Sequence, residues 1–213
     1  MTTKITIDPT QKYNLVGVNG QGKSVLFQFL IKTLIAQGIT VYLYDSEQQY
    51  RHLVDKHPRL SVYEPVTPGD LAEFDAYCAS IWERQTRPYL EGEQRVHPLR
   101  PRVLAVESID FYAPPKADLA PSLKKIVHWG REKKIGLITT SRRPADVHKD
   151  ICGLAKGWAL FHIYIENDIK WLRRFIGSEV AEALVTLEPF KFYWWETGHA
   201  ELMNPVPLSE AQI

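Results

Sequence analysis

Cysteine is scarce in this sequence: Cys78 and Cys152 are the only two in 213 residues. They show neither redox nor metal-knuckle spacing, which argues against a disulfide-stapled secreted scaffold and for two buried thiols in a reducing compartment. Long apolar runs are also missing. The most apolar late stretch, Ile151 to Ile165, is broken by Lys156 and His162, so no segment reads as a membrane span. Residues Met1 to Asp8 are polar and lack an apolar signal core, so secretion is not expected and a soluble intracellular protein is. Excess charge of one sign is absent too, with 26 Lys and Arg against 25 Asp and Glu. Any polyanion contact therefore falls to local patches. His148 and Cys152 are four apart without a partner pair, which is not a zinc pattern. No internal repeat, low-complexity block or nucleophilic triad is visible. The length suits a single α/β domain over 1–213, with 1–10 and 204–213 as terminal extensions.

What is present is the stretch Gly17-Val18-Asn19-Gly20-Gln21-Gly22-Lys23-Ser24, which reads G-x-x-x-x-G-K-S. It follows the apolar run Tyr13 to Val18 and opens the amphipathic run Lys23 to Gln37, the strand, loop and helix context of a phosphate cradle. Glycines at 17, 20 and 22 let successive N–H groups turn inward towards phosphate oxygens, and the helix adds its positive dipole end. Lys23 supplies a mobile charge for the β- and γ-phosphates, and the Ser24 hydroxyl is placed to ligate Mg²⁺. The expected ligands are ATP and Mg²⁺, with Gly17, Asn19, Gly20, Gln21, Gly22, Lys23, Ser24 and Val25 as the nucleotide-binding set.

Along the chain, Lys4 to Ile7 alternates as a short edge strand before a turn at Pro9. Ile39 to Tyr44 is a strand ending in Asp45, which either touches nucleotide or Mg²⁺ or caps its own loop. A short strand follows at Leu60 to Tyr63, then a helix from Asp70 to Gln85. Arg84 to Arg102 carries five arginines and three prolines and reads as an exposed basic loop, free to meet a phosphodiester backbone or simply solvated. Val103 to Val106 is a buried strand closed by Glu107, with Ser108 and Asp110 beyond. An acid at such a tip holds Mg²⁺ or positions a water, so Glu107 joins Ser24 as a metal ligand. Phe111 to Lys116 is an aromatic and basic loop. A helix from Pro121 to about Lys134 precedes the strand Ile135 to Ile138, whose polar tip, Thr139-Thr140-Ser141, leads to Arg142 and Arg143. That tip fits a γ-phosphate sensor and a charge-stabilising arginine, or a solvated loop. Trp158 to Ile165 is a further strand. Helices follow at Asp168 to Ile176 and at Ser178 to Leu187, the second capped by Ser178. Phe190 to Glu196 and His199 to Met203 form a hairpin about Thr197-Gly198, its aromatics suited either to base stacking or to core and interface.

This order gives a doubly wound, mainly parallel P-loop NTPase sheet flanked by helices, with a C-terminal β-hairpin. Its carriers, Gly17 to Ser24, Val103 to Glu107, Arg131 to Pro144 and Asn167 to Ile176, resemble the FtsK/HerA superfamily of ring-forming ATPases. More narrowly they are similar to the genome-packaging ATPases of membrane-containing icosahedral viruses of archaea and bacteria. The resemblance implies an ATP-driven translocase of double-stranded DNA acting as a homo-oligomer, by family a hexamer, with a capsid or viral membrane protein as anchor. It places the protein in the host cytoplasm or at a packaging vertex of the virion. It also implies catalytic roles for Lys23, Glu107, Arg131 and Arg143, Arg131 and in addition Arg143 reaching into a neighbouring subunit. Two departures stand out: Glu107-Ser108 replaces an Asp-Glu pair, and Arg142 replaces a glutamine. A small-molecule kinase of the P-loop class, and a nucleotide-binding assembly protein with little turnover, are the rival readings.

Overall fold

The computed structural model describes residues 5–90 and 99–213. In chain order its elements are β1 (Lys12–Val16), α1 (Lys23–Ala36), β2 (Thr40–Tyr44), β3 (Leu60–Tyr63), α2 (Leu71–Leu90) and β4 (Arg102–Val106). There follow α3 (Pro121–Trp129), β5 (Ile135–Ser141), α4 (Lys149–Gly153), β6 (Gly157–Leu160), α5 (Glu166–Ile176) and α6 (Ser178–Ala183). The hairpin β7 (Phe192–Glu196) and β8 (His199–Met203) and the short α7 (Leu208–Ala211) complete the chain. One eight-stranded sheet has the order β3-β2-β4-β5-β1-β6-β7-β8. The first six strands in this order are parallel, and β7 joins β6 antiparallel, so the hairpin extends the sheet.

Strand alternation sorts the apolar residues into two cores, one on each face. Leu104, Val106, Leu137, Trp158 and Leu160 pack with α2, α3, α5 and α6. Tyr13, Leu15, Val103, Ala105, Ile138 and Ala159 pack with α1. Because both faces are covered, the central strands read as continuous apolar runs. A buried polar pair links two of them: on β1, Asn14 accepts from Thr139 Oγ1 of β5 at 2.7 Å and donates to the Ile151 carbonyl at 3.2 Å.

Several boundaries differ from the sequence expectation. Residues 5–8 form no strand, because both neighbours of β1 are already taken by β5 and β6. Ile5 and Ile7 instead plug the α1-side core, and Lys4 lies outside the described residues. The arginine-rich stretch is not one loop. The helix α2 carries on through Arg84 to Leu90, and Arg102 opens β4; Arg95 and Pro98 lie outside the described residues. The helix α3 ends at Trp129, since Gly130 gives its carbonyl to the Ile135 N–H and the chain turns there. The second late helix is capped by Gly177, at φ 86, and not by the Ser178 side chain. The hairpin begins only at Phe192, because Phe190 sits at φ 65, outside strand geometry. Residues 204–213 fold back: α7 packs against α1, and Val206 and Ile213 lean on the core.

Candidate nucleotide site

The parallel strands end together, and the tips of β1, β2, β4 and β5 bring their loops to one sheet edge. Between β1 and α1 the P-loop turns through Gly20 at φ 77 and Gly22 at φ 95, the latter serving as the helix N-cap. No acidic side chain lies in the first turn of α1, so its positive end is left for an external anion. At Gly17 the backbone presses on the β6 extension, where an added Cβ would lie 2.6 Å from Phe161 Cβ. Lys23 Nζ donates to the Val18 carbonyl at 2.9 Å, bridging the loop. Burial lowers the Lys23 ammonium to about 8. Nearby carboxylates, Glu47 foremost, act in the opposite direction.

A cavity of about 620 Å³ opens over this loop, lined by Asn19, Gly20, Gly22, Lys23, Ser24 and Val25 among others. Gly17 and Gln21 are not among its lining residues. The tips of β4 and β5 contribute Glu107, Ser108, Thr140 and Arg142, while Phe190, Pro205 and Val206 wall the apolar end. That division, charged at the helix N-terminus and apolar beyond, suits a triphosphate carrying an aromatic base.

Glu107 is 3% exposed. Its Oε1 accepts from the Tyr50 hydroxyl at 3.3 Å, and the same hydroxyl pairs with the Ser24 side chain. Its Oε2 is buried and receives no hydrogen bond from a described residue. Burial, with Asp45 and Glu47 close by, raises the Glu107 carboxyl to about 8. Asp45 is itself anchored by the N–H groups of Gln49 and Tyr50 at 3.0 and 2.7 Å. Asp45 is thus the cap of its own loop, one of its two expected roles.

No cluster of three or more acidic, His or Cys side chains converges on a metal position among the described residues. Mg²⁺ characteristically binds through one or two protein oxygens, waters and substrate phosphates. The paired Ser24 hydroxyl and the orphaned Glu107 Oε2 fit that donor set.

The other sequence-derived candidates separate. Arg142 faces the cavity, held by Asp110 at 3.6 Å and stacked on Phe111 at 5.1 Å. Asp110 therefore serves Arg142 and does not share the work of Glu107. Thr139 turns to Asn14, so of the polar tip only Thr140 and Ser141 line the cavity. Arg143 is committed within its own chain, to Asp168 at 3.2 Å and Asp146 at 3.4 Å. Arg131 stands apart, exposed, in the turn after α3 at the opposite sheet edge, where it acts on Lys12 and Asp8. The seven residues of β5 lie between that turn and the cavity, a span of about 20 Å at ~3.3 Å per residue. Sequence reasoning missed Glu47 as a cavity-lining group and Tyr50 as the buried support of Glu107, whereas Phe190 belongs to the aromatic cluster that the sequence offered for base stacking. Glu47, three residues past the tip of β2, carried a weak positional signal; Tyr50 carried none.

No protein-family model matches the chain, and no curated protein matches it in sequence. Solved structures do. The genome packaging NTPase B204 from Sulfolobus turreted icosahedral virus 2, in complex with ATP-gammaS, is 21% identical over 94% of this chain and 100% of that one, with a TM-score of 0.75. The EssC protein (ATPases 2 and 3) from Geobacillus thermodenitrificans is 13% identical over 93% of this chain and 40% of that one, with a TM-score of 0.69. The pCW3 conjugation coupling protein TcpA, with ATPgS, is 15% identical over 94% and 62%, with a TM-score of 0.64. With its phosphate loop, acidic strand tip and sheet order, this chain has a P-loop NTPase fold, in the form shared with the viral genome-packaging ATPase.

Proposed function

We propose that this chain is an ATP-driven translocase that packages double-stranded viral DNA as an oligomeric ring, with six subunits by family resemblance. The observation that supports the reading is the position of Arg131: exposed, and a sheet length away from its own phosphate loop, it is placed to reach a neighbour's site and not its own. Phosphoryl transfer passes through a loose transition state in which charge placed around the γ-phosphate does most of the work. In this site Lys23 and the α1 N-terminus bind and neutralise phosphate, Thr140 and Arg142 flank it, and Arg131 of the next subunit completes the ring of positive charge. Ser24 and Glu107 would hold Mg²⁺, which when bound neutralises phosphate charge. Arg143, tied to Asp168, anchors α5 beside the loop. The Phe111 to Lys116 turn, exposed at Phe111, Pro115 and Lys116, is a candidate DNA contact, through phosphates and therefore salt-sensitive. No helix of the described residues is long and apolar enough to cross a membrane. By family resemblance, a capsid or viral membrane protein anchors the ring, in the host cytoplasm or at the virion vertex.

The test is light scattering of the purified protein with and without an ATP analogue and duplex DNA, alongside ATP turnover. The expected result is a nucleotide-dependent oligomer with DNA-stimulated hydrolysis. Arg131→Ala should lose turnover by on the order of 10³ while keeping nucleotide affinity in the protomer. A species monomeric under all conditions removes the in-trans arginine and the reading with it. Turnover driven by nucleosides would favour the kinase alternative instead. Ser108 following Glu107 favours one other reading, an assembly protein with little turnover; hydrolysis abolished by Lys23→Ala in a folded protein would eliminate it.

A further inference from the structure

The resemblance leads one to expect a second carboxylate directly after Glu107, and the chain has Ser108 there. The cavity nevertheless holds another acid, brought by a different strand. We propose that Glu47, in the loop after β2, is the catalytic carboxylate that orients and deprotonates the attacking water, and that Ser108 is its positioning residue. This rests on the reading of the chain as an ATPase.

The register makes the arrangement possible. Strands β2 and β4 are parallel neighbours paired up to Tyr44↔Val106, so the residues that follow, 45–47 and 107–108, emerge side by side. Ser108 Oγ donates to Glu47 Oε1 at 2.7 Å, and Gln49 Nε2 donates to Glu47 Oε2 at 2.9 Å. Each oxygen thus keeps a lone pair free while the carboxylate plane is fixed. Glu47 is exposed and lines the cavity with Lys23, and among charged groups it acts most strongly on Lys23. Glu107, by contrast, is buried against Tyr50 on the Ser24 side, which suits a metal ligand better than a group that must meet water.

Ser108 sits at φ 51, ψ 55, a left-handed backbone that non-glycine residues seldom adopt. Its N–H donates to Thr140 Oγ1 at 2.9 Å, tying the β4 tip to β5 and holding that conformation. An extended residue here would carry its hydroxyl elsewhere, so the strain serves to aim the Ser108 side chain at Glu47.

In the step this supports, the water oxygen bonds to the γ-phosphorus as the bond from that phosphorus to the β–γ bridging oxygen breaks. The electron pair leaves on ADP, and the water proton passes to Glu47 and then to solvent. Products are ADP and phosphate, with no other reactant needed.

The test uses the full chain with Glu47→Gln, which keeps the shape and the Ser108 bond but accepts no proton. Turnover should fall by at least about 100-fold, while affinity for a non-hydrolysable ATP analogue stays within about twofold of wild type. Nucleotide extracted from the variant after incubation with ATP should be ATP and not ADP. Ser108→Ala should lower kcat with KM unchanged, and adding Ser108→Asp to Glu47→Gln, which returns a carboxylate from a residue type tolerant of this backbone, should recover part of the turnover. Wild-type hydrolysis with Glu47→Gln within threefold of it, about the noise between preparations, overturns the assignment. So does a variant that loses affinity as steeply as turnover. A wild type that binds ATP under every condition and never hydrolyses it defeats the ATPase reading itself, a distinguishable result.

Discussion

Glu107 stores a cost in the fold that a single substitution should release. Its carboxyl titrates at about 8 against an ordinary 4.5, because burial and the neighbouring Asp45 and Glu47 disfavour its charge. For an acid whose folded value is raised, folded and unfolded chains are both protonated below pH 4.5, so the group costs nothing there. Between 4.5 and 8 only the unfolded chain ionises, and stability falls as pH rises; above 8 the loss is complete. At about 1.4 kcal/mol per pH unit, the penalty at pH 7 is about 3 kcal/mol, and at pH 5 it is below about 1 kcal/mol. Glu107→Gln mimics the protonated form: it is uncharged, and its amide oxygen still accepts from Tyr50. The variant should therefore be more stable than wild type by ~2–3 kcal/mol at pH 7 and by much less at pH 5. Urea unfolding of both proteins at the two pH values, with a chelator and without nucleotide, measures the difference. An advantage of the glutamine variant that is the same at both pH values would refute the reasoning, since a gain from packing alone does not titrate.

Three further outcomes follow from the same geometry. Loading the site with Mg²⁺ and nucleotide should ionise Glu107, releasing roughly one proton per site at pH 7; calorimetry in buffers of different ionisation enthalpy would read it, and buffer-independent heats would count against Glu107 as a ligand. Gly17→Ala forces a Cβ to 2.6 Å from Phe161 Cβ, so the loop must shift and nucleotide affinity should drop about tenfold or more in a fluorescent-analogue titration. Thr139→Val leaves the buried Asn14 Oδ1 without its donor, a cost of ~1–3 kcal/mol that should lower Tm by several degrees without altering nucleotide affinity.

The phosphate loop was legible because its function depends on local covalent geometry. Glycines at three positions, a lysine and a hydroxyl at the mouth of a helix define an anion cradle whatever surrounds it. The buried parallel strands were equally legible, since a sheet covered on both faces needs unbroken apolar runs. Element ends were harder to read, being set by tertiary partners. Lys4 to Ile7 alternate like a strand, yet both sides of the adjacent β1 are taken by β5 and β6 and Ile5 and Ile7 turn into the core instead, and the basic stretch from Arg84 divides between a longer helix and the start of β4. The second acid was illegible for a stronger reason. Only the pairing of β2 beside β4 places Glu47 against Ser108, which is 61 positions away in sequence. The same holds for the arginines: the resemblance offered Arg131, and Arg143 beside it, for a neighbour's site, but the fold binds Arg143 to Asp168 and leaves Arg131 exposed a sheet length from the loop. Sequence by itself determined that this chain cradles a phosphate. Tertiary structure decided which charges stand around it, because they meet through strand order and register and not through any local pattern.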